Sequence, residues 1–121
     1  MLTGEAGADT FALNVLEHSL RTAFDVITDY TSIDRIDAPG AIAATLTTSS
    51  GNATSLSSSA VSAVLSSAAF PANSARAFTV TGQSGTFIAM NNSTAGFSST
   101  TDAILHLSGF TIGVANPVTI L

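Results

Sequence analysis

Oxygen-bearing side chains at turn positions are the groups in this chain whose type and spacing point to chemistry, and that chemistry is the capture of a hard cation. Near the amino end, Gly4-Glu5-Ala6-Gly7-Ala8-Asp9-Thr10-Phe11 couples two glycines to a carboxylate and then to an apolar residue. Glycines permit sharp bends that aim carbonyl oxygens inward, and a carboxylate adds formal charge. Together they suit calcium, which takes about six to eight oxygen ligands. The expected ligands are Asp9 and the carbonyls of Gly4, Ala6 and Gly7, with Asp25 and Asp29 as further carboxylates of the same acidic stretch. The competing role for Asp9 is that of a turn residue bonded to its own backbone.

A second candidate runs from Asn91 to Asp102. It follows the register of an acidic calcium loop, with oxygen side chains at the first and third positions, Gly96 at the sixth and Asp102 at the twelfth. Asp102 is its one anion and Ala95 fills the fifth position, so the charge is short of what tight binding needs. The alternative is a polar connection between strands, with Asp102 bonded to nearby amides.

Enzymatic chemistry finds little support. His18 and His106 are the only imidazoles, and Gly82-Gln83-Ser84-Gly85 does not meet the Gly-x-Ser-x-Gly pattern of a nucleophile elbow. His18 has Glu17, Asp25 and Asp29 for company, but nothing in their spacing sets them on one face. His106 is opposite in phase to Leu105 and Leu107, which predicts a solvent-facing imidazole. Paired carboxylates without Trp or dense Tyr make a poor sugar cleft. The expectation is a non-enzyme.

The elements that must position these groups follow from composition and pattern. The 121 residues are 45% hydrophobic and only 9% charged, with a net charge of -5. That is enough apolar material for one domain. Arg21, Arg35 and Arg76 are the only strong cations, too few for a phosphate backbone, so nucleic acid is not an expected partner. Cysteine is absent, which removes disulfides and thiolate metal sites. No apolar run approaches the ~20 residues that span a bilayer. No basic segment followed by an apolar core opens the sequence, so export would use another signal.

Seven of the eight acids precede Pro39, which divides the expected single domain, 1–121, into an acidic head (1–40) and a neutral body (41–121). In the head, Asp25 to Tyr30 reads as a strand and Ser32 to Asp37 as a turn into a second one. In the body, residues 45–59 are Ser/Thr-rich and linker-like. Leu56, Ala60, Val61, Val64, Leu65 and Ala68 recur at helical spacing and predict a helix over about 55–69, stopped by Pro71. Phe78 to Thr81 and Phe87 to Met90 flank Gly82-Gln83-Ser84-Gly85 as a hairpin. Ala103 to Leu107 is a further strand ending at Gly109, and Val118 to Leu121 an edge strand. The class is α+β, mainly antiparallel with one helix. Beyond the single glycine-bearing nonapeptide, no internal repeat stands out.

Several of these residues resemble known families. Gly4 to Phe11 is similar to the Gly-Gly-x-Gly-x-Asp-x-apolar-x repeat of RTX proteins, whose turns stack into a parallel β-roll. Asp25-Val26-Ile27-Thr28-Asp29-Tyr30 with Asp34-Arg35-Ile36-Asp37 resembles the cap in which such a roll ends. Thr86 to Asn91 and Thr94 to Ile104 resemble the carboxy-terminal bluetail domain of cyanobacterial surface proteins. Glu5 stands where the repeat has its second glycine, and Ser32-Ile33 replaces the usual Gly-containing turn. The resemblance implies a secreted or cell-surface location, calcium, upstream β-roll repeats as a partner and type I secretion. Val118-Thr119-Ile120-Leu121 is similar to the apolar end of that export signal, without its acid. A β-roll ion lies between successive turns, so one turn supplies half a site and implies either an upstream array or a vestigial turn. The function expected is a non-catalytic carboxy-terminal cap. The alternatives are a metal-free structural or adhesive module and a surface-binding module, the latter prompted by Thr79-x-Thr81 but lacking regular threonine ranks.

Overall fold

In the computed structural model, which describes residues 1–40 and 42–121, strands run in the order β1 (Thr10–Ala12), β2 (Asp25–Ile27), β3 (Arg35–Asp37), β4 (Ala44–Leu46), β5 (Ser49–Ala53), β6 (Ala75–Val80), β7 (Thr86–Met90), β8 (Ala103–Leu107) and β9 (Val118–Ile120). One α-helix, α1 (Ser58–Val64), lies between β5 and β6, and a 3-10 turn covers Leu16–Ser19. Ala41, at the expected boundary of head and body, lies outside the described residues. The strands form two mixed sheets, ordered β1-β3-β9-β4 and β2-β8-β7-β6-β5. The class is α+β. The longest ladders, β6 with β7 and β7 with β8, are antiparallel, whereas the pairings of the head strands are parallel.

Those parallel pairings describe a coil. Leu2 pairs in parallel with Ile27, and after the intervening turn β1 pairs with β3 in the register Thr10↔Arg35, Phe11↔Ile36, Ala12↔Asp37. A first rung (Leu2, turn 3–9, β1) therefore lies on a second (β2, turn 28–34, β3), at an offset of 25 residues. The second lies on a third, because β2 pairs in parallel with β8 and β3 with β9, with residues 108–117 as the connecting turn. Each rung crosses from the five-stranded to the four-stranded sheet. Beyond the third rung the stacking stops: β7 adds to β8 and β4 to β9, both antiparallel.

Apolar side chains dictate this layering. Between the sheets, Ile27, Ile36, Ile88, Met90, Leu105, Leu107, Val118 and Ile120 are buried together. Head and body share that core. A second cluster on the outer face of the five-stranded sheet joins Phe78, Phe87, Ala89 and Ile104 to Val61, Leu65 and Phe70 from the helical layer. Every residue of β7 and β8 is consequently buried.

Several expectations are corrected. The helix is half as long as its apolar periodicity predicts: Ser57 caps it by accepting from Ala60 N at 3.2 Å, and after Leu65 the chain turns away toward Phe70, leaving Ala68 exposed. Residues 45–59 are no linker, because they supply β4 and β5. There Asn52 Oδ1 accepts from Thr79 Oγ1 and its Nδ2 donates to Thr81 Oγ1, both at 2.8 Å. The last strand is not an edge, since β9 sits between β3 and β4 with Val118 and Ile120 buried.

Candidate functional site

The upper two rungs place the acidic turn residues. A turn leaves main-chain amides without sheet partners, and those amides must be matched. Here carboxylates of the second rung match amides of the first. Asp29 accepts from Gly4 N at 3.0 and 3.1 Å and from Glu5 N at 2.7 Å. Asp34, only 2% exposed, accepts Asp9 N at 2.9 Å on Oδ1, and Thr31 N at 2.8 Å and Thr31 Oγ1 at 3.2 Å on Oδ2. The amides of Gly4 and then Glu5 favour the charged form of Asp29, holding its carboxyl below the usual carboxylate range.

The upper turn is shaped by its glycines. Gly7 takes a φ of +107°, which a side chain rarely adopts, and any Cβ at Gly4 would run into the Asp9 carboxylate. Glycine at position 4 thus lets that carboxylate lie against the main chain. Its Oδ2 is closed to solvent and has no hydrogen-bond partner among the described residues. The lower turn shows why: Thr31 supplies a hydroxyl to Asp34, and 25 residues earlier the equivalent position is Ala6. Glu5, where the repeat has glycine, is left-handed at φ 65°.

The expected metal ligands do not form one cluster. Gly4, Ala6, Gly7 and Asp9 share the upper turn, and Asp29 reaches it from below with its oxygens already given to amides. Asp25 stands in β2, its amide held by Ser19 Oγ at 2.8 Å. Asp102 lies at the start of β8, fully buried, accepting Asn92 N at 3.1 Å and Ser98 N at 2.7 Å. Burial pushes its carboxyl up. Among the described residues no three His, Asp or Glu side chains converge as metal ligands. For calcium, the upper turn therefore offers a single carboxylate, Asp9, whose Oδ2 is unpartnered among the described residues but closed to solvent.

Sequence reasoning missed Asp34 as the partner of Asp9, and with it the second turn. His106 also differs from expectation. It is 8% exposed, stacks on Phe87 with ring centroids 4.1 Å apart, and places Nε2 2.6 Å from Ser84 O. Its phase opposite Leu105 is as the alternation requires, but Phe24 packs over the imidazole on that face. Where the second turn meets the longer third one, Tyr30, Ser32, Phe110, Thr111 and Asn116 line an open groove of about 370 Å³ that contains no acid.

No family model, curated protein or solved structure matches the chain.

Proposed function

We propose that this chain is the carboxy-terminal cap of a larger, extracellular or cell-surface RTX-type calcium-binding protein, a non-catalytic domain that receives upstream β-roll turns on β1 and ends their stack. The supporting observation is the asymmetry of the coil. Its rungs stack in parallel at one end, where β1 is an edge strand, and are closed at the other by antiparallel β7 and β4. An open edge carries unpaired amides and carbonyls that a further strand satisfies, whereas an antiparallel neighbour ends a one-way coil. Export by the type I route would read Val118 to Leu121 before folding, since β9 is internal once folded.

The test is to join the chain behind a short array of consensus Gly-Gly-x-Gly-x-Asp-x-apolar-x repeats and follow folding by circular dichroism during a calcium titration. Folding of the array at lower calcium with the cap than without it is expected. Indifference of the array to the cap would sink the proposal.

A second reading has this chain hold calcium itself, through Asp9 and carbonyls of Gly4, Ala6 and Gly7, with an upstream turn completing the shell. The specific observation favouring it is the unpartnered Asp9 Oδ2. Bound calcium would offset the charge of the head and stabilise the folded state by mass action. Thermal unfolding in EDTA, millimolar calcium and millimolar magnesium decides it: a rise specific to calcium, lost in Asp9→Ala and kept in Asp102→Ala, is expected. No shift leaves the metal-free structural or adhesive cap.

A further inference from the structure

The contacts between the first two rungs follow a rule that the first rung leaves unfinished. The lower aspartate takes the amide of its equivalent one rung above: Asp34 Oδ1 accepts Asp9 N at 2.9 Å, and Asp9 O in turn accepts Arg35 N at 2.8 Å. Asp9 occupies in the first rung the place that Asp34 occupies in the second. Its Oδ2, closed to solvent against Gly4, stands where Asp34 holds its own Thr31 and is empty because Ala6 brings no hydroxyl, which leaves Oδ1 as the oxygen for a donor from the next rung. An arriving amide there would add a charge-assisted bond of the kind that Asp34 makes to Asp9 N. Beside it, β1 is the outermost strand of its sheet, with Thr10 and Ala12 exposed.

Resting on the cap reading above, we infer that the Asp9 carboxylate is the acceptor for a main-chain amide of the next rung upstream, so that rungs are joined by an aspartate-to-amide clasp that requires no metal. The occupant is an extended peptide rung running parallel to β1, in continuation of the β1–β3 ladder. The clasp acts with the strand pairing: β1 supplies the ladder, and Asp9 sets the register at the turn, as Asp34 does one rung below.

A copy of residues 2–12, joined to the amino end by a flexible Gly/Ser linker of about 12 residues, provides the missing rung as a probe. All measurements are made in EDTA. The copy is expected to raise the melting temperature by about 5 °C. Asp9→Ala in the original rung removes at least half of that rise, and Asp9→Asn, which keeps an acceptor oxygen, retains most of it. Should Asp9→Ala not fold, Asp9→Asn and the hydrogen exchange of the aspartate amide in the copy still decide, since that amide must be protected. A rise undiminished in Asp9→Ala, or an unprotected amide, overturns the clasp while leaving docking on β1 intact. A rise that appears only with calcium overturns it in favour of metal ligation by Asp9. No rise in EDTA or calcium overturns both the clasp and the docking of upstream rungs.

Discussion

The amide of Asp9 donates to Oδ1 of Asp34 at 2.9 Å, linking equivalent positions of two stacked turns 25 residues apart. Asp34 is 2% exposed and also holds the amide and hydroxyl of its own Thr31. One carboxylate thus shapes its own turn and fastens the turn above. Removing it takes the acceptor from three part-buried donors at once, the Asp9 amide and the amide and hydroxyl of Thr31.

Asp34→Ala is expected to cost about 3 kcal/mol, read as a fall in melting temperature of about 10 °C. Asp34→Asn keeps a single acceptor oxygen and falls between. A loss below about 1 kcal/mol for the alanine variant would mean that strand pairing alone holds the rungs together.

Much of the fold was legible because it rests on local pattern. The hairpin β6–β7 follows from β-prone apolar runs on either side of Gly82 to Gly85, and β8 from the apolar run that ends before Gly109. The coil was harder to read, although its signal was present: Leu2-Thr3 and Ile27-Thr28 are equivalent, as are Asp9-x-Phe11 and Asp34-x-Ile36. Glycine does not mark it, since Gly4 and Gly7 correspond to Asp29 and Ser32, and the second turn is built by Asp34 and Thr31 instead of by glycine. The burial of His106 was beyond a two-residue alternation, because whether both faces of a sheet are covered depends on where α1 and Phe24 pack.

Opposite pH responses are expected from two carboxylates. The Asp29 carboxyl is lowered by the amides of Gly4 and Glu5, so its contribution is present above the unfolded value, about 3.9, and is lost as pH falls through the folded one. The Asp102 carboxyl is raised by burial, so its contribution is present in full below about 3.9 and is lost as pH rises through the folded value. Melting curves from pH 2 to 7 should show Asp29→Asn less stable than the parent at neutral pH, with the gap closing in acid. For Asp102→Asn the parent should gain on the variant as pH falls. Parallel curves for both variants would remove the linkage.

Two glycines of the β6–β7 turn share a φ of +81° and differ in surroundings. A Cβ at Gly82 meets nothing, whereas one at Gly85 would collide with Leu107 O and stand 2.7 Å from Gly109 N. Gly82→Ala carries only the left-handed backbone cost, about 1 kcal/mol. Gly85→Ala adds a clash with rigid main chain and should lose more than about 3 kcal/mol. Urea unfolding midpoints of the pair separate the terms, and equal losses would show that the clash relaxes without cost.

His106 provides a test of what its buried imidazole contributes. Its ring stacks parallel to that of Phe87, at an interplanar angle of 3°, and meets Phe24 edge-on at 6.2 Å. Its one hydrogen-bond partner, the carbonyl of Ser84, belongs to an exposed turn residue, so water can replace the imidazole there. Aromatic packing should therefore outweigh the polar bond. His106→Phe, which keeps a ring between Phe24 and Phe87, is expected to lose less than about 1 kcal/mol. His106→Ala leaves a cavity in the outer core and should lose about 3 kcal/mol. Urea unfolding ranks the two. The reverse order would make the bond to Ser84 the dominant contribution, holding the hairpin turn down onto β8 more strongly than the aromatic stack holds the sheet's outer face.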